Sequence, residues 1–168
     1  MIPRYRAWGR DGNYPGTPSE KFEMFYDVSV VTTHQDKVQH VIADFGMYNE
    51  SEYNGTEIID YTLMQSTGLF DKNGKEIFEG DILKFNDSWN DYCYEGYVDG
   101  EIEGINFVEI ESETACFVFG KTKISDSSLF YYTNEEHLTF QEIITDTSFE
   151  FEIIGNIYEN PELAEVDS

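Results

Sequence analysis

Basic residues are scarce in this chain of 168 residues: ten Lys and Arg stand against 34 Asp and Glu, a formal charge of −24. The imbalance is uneven, with 15 acids and 8 bases in residues 1–90 (net −7) and 19 acids and 2 bases in 91–168 (net −17). A field of that sign repels phosphate backbones and anionic membranes, so direct nucleic-acid binding is not expected, and it draws in cations and basic protein surfaces. Cysteine is nearly missing. Cys93 and Cys116 stand alone, without Cys-x-x-Cys or His-x-x-x-His spacing, which removes zinc-ribbon and thioredoxin-like readings. Cys116, in the apolar run Ala115-Cys116-Phe117-Val118-Phe119, reads as a buried thiol acting as a small hydrophobe. A disulfide between the two would be unexpected in a cytoplasmic protein.

Long apolar runs are absent as well. No window approaches the roughly eighteen uninterrupted apolar residues of a membrane span, and nothing apolar follows Arg4 and Arg6 at the N-terminus. The expectation is a chain with no membrane partner and no secretory leader, placed in the cytoplasm. His34, His40 and His137 are widely separated and fall in no His-Glu-x-x-His motif, nor beside a candidate nucleophile. No catalytic, cofactor-binding or metal-binding residues are therefore expected.

What the chain does have is aromatic residues, twelve Tyr and thirteen Phe against two Trp, of a type that favours pleated, half-buried strands. The walk along it agrees. An opening strand over residues 1–10 stops at Gly9-Arg10-Asp11-Gly12, and alternation at Met24, Tyr26, Val28 and Val30 marks a second. Val38–Phe45 reads as a strand, the polar segment Met47–Thr56 as an exposed loop, and Glu57–Met64 as strand again. Asp71-Lys72-Asn73-Gly74 is a tight hairpin turn, with Asn73-Gly74 supplying positive φ, and Glu79-Gly80-Asp81 is a second bend before Ile82–Phe85.

Further on, Gly96, Gly100 and Gly104 are expected to cut Tyr92–Ile105 into short, twisted strands. Val108–Ile110 and Ala115–Gly120 continue the strands, and one helical stretch is expected between Phe130 and Ile144, with Asn134 as its cap. Phe149–Tyr158 is the last strand and Asn160-Pro161 its stop. The result is a mainly β fold with at most one or two short helices.

Two apparent cation sites were tested against ligand spacing. A calcium loop beginning at Asp71 would place Lys75 at its fifth position, its glycine at the fourth, and Ile82 where a bidentate Glu is required. The hairpin reading stands in its place. The alternating acids Asp99, Glu101, Glu103 and Glu109, Glu111, Glu113 would share one strand face, read first as solvated and second as a weak divalent-cation surface.

Three segments carry a resemblance: Arg6-Ala7-Trp8; Met64-Gln65-x-Thr67-Gly68-Leu69-x-Asp71-x-Asn73-Gly74-Lys75-Glu76-Ile77-x-Glu79-Gly80-Asp81; and Ile154-Gly155-Asn156-Ile157-Tyr158-Glu159-Asn160-Pro161-Glu162-Leu163. On these the chain resembles the YopX-like family of phage and prophage proteins. The motifs cover about a quarter of it, and segments 11–60 and 86–148 carry none. The resemblance implies a barrel-like or complex-topology β domain over residues 1–163; residues 164–168 are read separately as a disordered acidic tail. It also implies a phage or prophage setting, self-association as one option, and no established activity to carry over. The motif residues Trp8, Gln65, Thr67, Gly68, Asp71, Asn73, Gly74, Glu79, Gly80, Asp81, Gly155, Asn156, Tyr158, Asn160 and Pro161 are read as architectural, because glycines, amides and hydroxyls are what turns and strand corners use.

Three functions then compete. The first is a non-enzymatic interaction or structural protein, whose partner is a second copy or a host or phage protein with a basic surface. The second is an acidic decoy whose carboxylates imitate DNA and occupy a host nucleic-acid-binding protein. The third is an enzyme without a recognisable motif.

Overall fold

A computed structural model describes residues 3–13, 16–32, 35, 37–49, 52–114 and 116–165; His34 and the tail residues 166–168 lie outside these. Strands dominate. In chain order they are β1 (Tyr5–Asp11), β2 (Phe22–Thr32), β3 (Gln39–Asn49), β4 (Glu52–Phe70), β5 (Glu76–Phe78), β6 (Asp81–Tyr92), β7 (Val98–Glu113), β8 (Cys116–Thr122) and β9 (Glu152–Asn156). Two short helices, α1 (Ser128–Asn134) and α2 (Phe140–Ile144), lie between β8 and β9. The chain forms two compact units, Met1–Ser66 and Thr67–Ser168, and β4 runs through the boundary.

In the first unit, β1 pairs with β2, β2 with β3 and β3 with β4, and β1 also pairs with β4, all antiparallel. The ring of hydrogen bonds therefore closes and leaves none of the four strands as a free edge. Its core is small: Ala7, Val28, Val41, Ala43 and Ile58 are buried, with Tyr5, Phe25, Tyr61 and Leu63 packed against them. Four strands can close only by bending sharply, and β-bulges supply the bend. The pairing shifts register between Tyr5 and Ala7, between Trp8 and Arg10, and between Ala43 and Gly46. At each shift an aspartate, Asp27, Asp60 and Asp44 respectively, sits at a φ near +50°. Asp tolerates this left-handed conformation better than branched residues do. Opposite the Asp60 bulge, a Cβ on Gly9 would lie 2.7 Å from Ile58 Cγ2 and 2.9 Å from the Ile59 carbonyl, so the strands approach there at glycine distance.

In the second unit β8, β7, β6 and β9 form an antiparallel sheet in that order, and β5 pairs with β4. One face of the sheet buries Leu83, Phe85, Val108 and Ile110 together with Ile77, Leu129, Ile143, Ile144, Phe149 and Phe151. Much of the aromatic content goes into this core. Phe151 stacks on Phe85 at 5.2 Å, Phe149 at 5.4 Å and Phe119 at 5.8 Å, and Phe119 meets Phe140 at 4.8 Å. Burying one such ring stabilises a fold by about 2–3 kcal/mol.

Several local expectations are corrected. Met47–Thr56 is strand where it is described, with Glu50 and Ser51 outside the described residues: β3 and β4 pair there, Met47 with Tyr53 and Gly46 with Asn54, because ladder bonds come from the main chain whatever the side chains are. β7 is one strand of 16 residues that continues through Gly100 and Gly104. Asn134 ends a helix; the caps are Ser127, which accepts from Leu129 N–H, and Thr139, which forms a capping box with Glu142. Cys116 is exposed, and both cysteines are free thiols. It alternates along β8 with Phe117 and Phe119, which pack on Phe140, so Cys116 takes the opposite face.

The bulge geometry makes a prediction at Asp44. Replacement by Gly removes the cost of a positive φ and leaves stability unchanged or slightly higher, whereas Asp44→Val costs about 1–2 kcal/mol. Urea unfolding of the two variants measures the difference.

Candidate interaction site

The motif residues of the second unit occupy the corners of its sheet. Asp71, 8% exposed, accepts the N–H groups of Asn73 and Lys75 on Oδ1, both at 2.9 Å, and that of Ile153 on Oδ2 at 3.0 Å. One carboxylate thus closes the Asp71–Lys75 turn and ties it to β9. Gly68 and Gly74 have positive φ, and Thr67 Oγ1 donates to the Ile77 carbonyl at 2.8 Å. Gly80, at φ +88°, donates to the Ile110 carbonyl and accepts from Ile157 N–H.

Asp81 pairs with Asn156 across β6 and β9, yet each side chain turns to its own neighbours. Asp81 Oδ2 accepts from Phe78 N–H at 2.8 Å, and Asn156 Oδ1 accepts from Tyr158 and Glu159 N–H. Glu79 accepts from the Ser112 hydroxyl at 2.6 Å. Asn160 Oδ1 accepts from Asn156 N–H and occupies the space a Cβ on Gly155 would need; Pro161 starts the closing 3-10 turn. In the first unit, Trp8 stacks on Phe22 at 6.2 Å and Gln65 pairs with Tyr5.

The concave surface lies elsewhere, along β6 and β7. β9 pairs with β6 only over Asp81–Lys84, and β8 pairs with β7 only from Val108 onward. The segments Asn86–Tyr92 and Val98–Ile105 therefore form a two-stranded arm, closed by a turn in which Cys93 N–H donates to the Tyr97 carbonyl and Gly96 has a φ of +87°. The arm's root is polar and buried. Asn106, 0% exposed, donates from Nδ2 to Asp87 Oδ2 at 2.8 Å and to the Ile124 carbonyl at 2.9 Å, and its Oδ1 accepts from the N–H groups of Phe107 and Ile124. Asp87 Oδ1 accepts from the Ser128 N–H at 3.0 Å and hydroxyl at 2.5 Å. Farther out, the Tyr92 hydroxyl donates to Asp126 at 3.1 Å. The start of α1 is thus fastened along the arm.

Two cavities open beside these fastenings. One, of about 510 Å³, is lined by Asn86, Asp87, Glu103, Tyr132, Ser148 and Phe149 among others. The second, of about 570 Å³, is lined by Trp89, Glu101, Asp126, Phe130, Tyr131 and Glu135 among others. None of the family-motif residues lines either cavity, whereas Glu103 and Glu101 of the alternating acids on β7 do. Ser127, a serine just ahead of Leu129-Phe130-Tyr131-Tyr132, was the sequence signal that could have located α1 and with it the groove.

Charge is sorted across the sheet. On the face away from the core, Lys84 reaches Glu152 at 3.1 Å and Lys72 reaches it at 3.4 Å, and the Lys84 hydrogen bond holds Glu152 below the usual carboxylate range. Lys123 lies over the Phe107 ring at 5.3 Å. Burial first, then the hydrogen bond and charge of Glu111, push Glu109 up to about 7 against the opposing pull of Lys121. On α1, the hydrogen bond to Glu136 raises the Tyr131 phenol. Of the two histidines in the described residues, His40 meets Glu57 at 2.5 Å and His137 holds a left-handed turn. No cluster of three His, Cys, Asp or Glu suited to a metal occurs among the described residues.

With this geometry in place, comparison with known families decides the assignment: the YopX protein family matches residues 4–165. The chain belongs to the YopX family. Its fold is similar to the crystal structure of protein EF1440 from Enterococcus faecalis, with 27% identity, a TM-score of 0.55, and coverage of 98% of this chain and 99% of that one. A comparison with curated proteins found no match. For this YopX-family chain the likeness therefore extends over nearly the whole length, and neither comparison brings an activity with it.

Two variants test the site's construction. Asn106→Ala takes the buried amide donor from Asp87 Oδ2 and the acceptor from the Ile124 N–H, and is expected to cost about 2–4 kcal/mol in urea unfolding. Glu109 works in the opposite sense. Its folded pKa lies above the value of 4.5 it has when unperturbed, so the folded state holds the proton more tightly and stability falls as pH rises from about 4.5 to about 7. Glu109→Gln should flatten that fall and melt higher than the parent at pH 8, as thermal unfolding across pH would show.

Proposed function

We propose that this YopX-family protein acts by binding another protein with a basic surface, and that the β6–β7 arm makes the contact. The supporting observation is the arm's composition. Residues 86–105 contain Asp87, Asp91, Glu95, Asp99, Glu101 and Glu103 and no Lys or Arg, and Tyr92, Tyr94, Tyr97, Val98, Ile102 and Ile105 are exposed on the same segment. Tyrosine combines a large apolar area with a polar tip at low entropic cost, which suits an interface, and the carboxylates around it select a cationic partner and speed its approach.

The DNA-mimicry reading asks for two rows of carboxylates spaced like phosphates. β7 supplies one row: Glu101 faces Asn90 and Glu103 faces Ser88 across the arm. This arrangement gives mimicry less support than a mixed tyrosine and carboxylate contact.

The test is capture of host proteins by the immobilised full chain at several salt concentrations, beside a Tyr94→Ser/Tyr97→Ser variant shown by circular dichroism and melting to be folded. Basic proteins captured by the parent, released by salt and missed by the variant are the expected result. An unchanged capture profile would remove the arm from the function.

A further inference from the structure

We propose that the groove between the arm and α1 is a seat for an arginine side chain of the basic partner, an inference that rests on the binding reading above. The groove offers a guanidinium both things it needs. Trp89, Phe130 and Tyr131 supply π faces, on which a guanidinium stacks and where Trp is the strongest of the three types. Asp126 and Glu135 supply carboxylates for its N–H fork; Glu101, paired with Asn90 while Trp89 pairs with Ile102, turns its side chain to the other face of the arm. None of the residues lining the groove is Lys or Arg, so no cation of the lining itself fills it.

The walls are set in place by contacts already described. Trp89 lies against bare backbone, since a Cβ on Gly104 would fall 2.7 Å from its Cη2. Tyr131 meets Tyr132 edge-on at 5.7 Å, and Tyr132 meets Phe149 edge-on at 5.8 Å, which links the groove wall to the core. Asp126 is held by the Tyr92 hydroxyl and Ser128 by Asp87. At about 570 Å³ the space exceeds one side chain, and the neighbouring cavity of about 510 Å³ shares Ser88, Ser128 and Tyr132 with it, so the residues flanking the arginine have a path along the arm. Lysine fits less well. Its compact ammonium is more strongly hydrated and has no planar face to lay on the rings.

The chain has only two tryptophans, Trp8 and Trp89, so Trp8→Phe makes Trp89 the single fluorophore at the groove. In that background the blocked peptide Gly-Gly-Arg-Gly-Gly should change Trp89 emission saturably. The same peptide with citrulline, a neutral isostere of arginine, should bind at least about tenfold more weakly, and Asp126→Asn/Glu135→Gln should weaken the arginine peptide by about tenfold. Equal binding of the citrulline peptide, no saturable response, or an unaffected double variant would each overturn the seat. The two readings fail separately. A saturable arginine response with no protein captured at any salt keeps the seat and sinks the partner reading. Salt-sensitive capture that depends on Tyr94 and Tyr97 but is indifferent to Asp126→Asn/Glu135→Gln keeps the partner and sinks the seat.

Discussion

The hydrogen bonds around Asn106 and Asp87 are what the second unit's concave side depends on. A buried amide has two N–H donors and a carbonyl with two lone pairs, and Asn106 uses all four. That saturation lets a polar side chain sit at 0% exposure in a sheet otherwise filled with Leu, Phe, Val and Ile. The same bonds present Asp87 to Ser128, at the first turn of α1. A carboxylate buried here without a cation is held by main-chain N–H, hydroxyl and amide donors, and each of them comes from a segment that must be in register. The arm, the loop at Ile124 and the start of α1 therefore form together or not at all.

Electrostatics follow from the same sheet. The second unit has five lysines, and four of them, Lys72, Lys84, Lys121 and Lys123, are engaged by Glu152, Glu109 or Phe107 on the face turned away from the core. Positive charge is spent there, and the groove lined by Trp89 and α1 receives none. The raised Glu109 belongs to this sorting. Burial disfavours its charged form first, and the hydrogen bond and charge of Glu111, two residues along β7, add to that against the pull of Lys121.

The sequence was most legible where a side chain answers to its own neighbours. Asp71-Lys72-Asn73-Gly74 and Glu79-Gly80-Asp81 appear as turns because Asp71 Oδ1, Gly74 and Gly80 act within a few residues of themselves. The family motifs sit on these corners, which is why they point to fold and not to the groove. Legibility failed where the partner is distant. Met47–Thr56 has loop-like composition, and only its pairing across the hairpin makes it strand. Gly104 looks like punctuation, but it is the floor under Trp89, fifteen residues earlier in sequence and next to it across the arm. Asn106 and Asp87 carry no local signal at all, since a buried network of long range resembles two ordinary polar residues until the strands are laid side by side. The groove belongs to this second class.

The arm raises a difficulty that its charge resolves. Past Lys84 and Val108 both its edges lack a third strand among the described residues, and exposed tyrosines crowd its tip, a combination that invites copies of the chain to pair edge to edge. Pairing two copies would bring six carboxylates of one arm against six of the other with no intervening lysine or arginine. At physiological salt the screening length is about 8 Å, longer than the spacing of adjacent strands at about 5 Å, so that repulsion is felt in full contact. A cationic surface meets the same tyrosines and the same open edges without that opposition. The arm's charge thus opposes the contact that hydrophobicity alone would favour, and it suits the cationic partner proposed above.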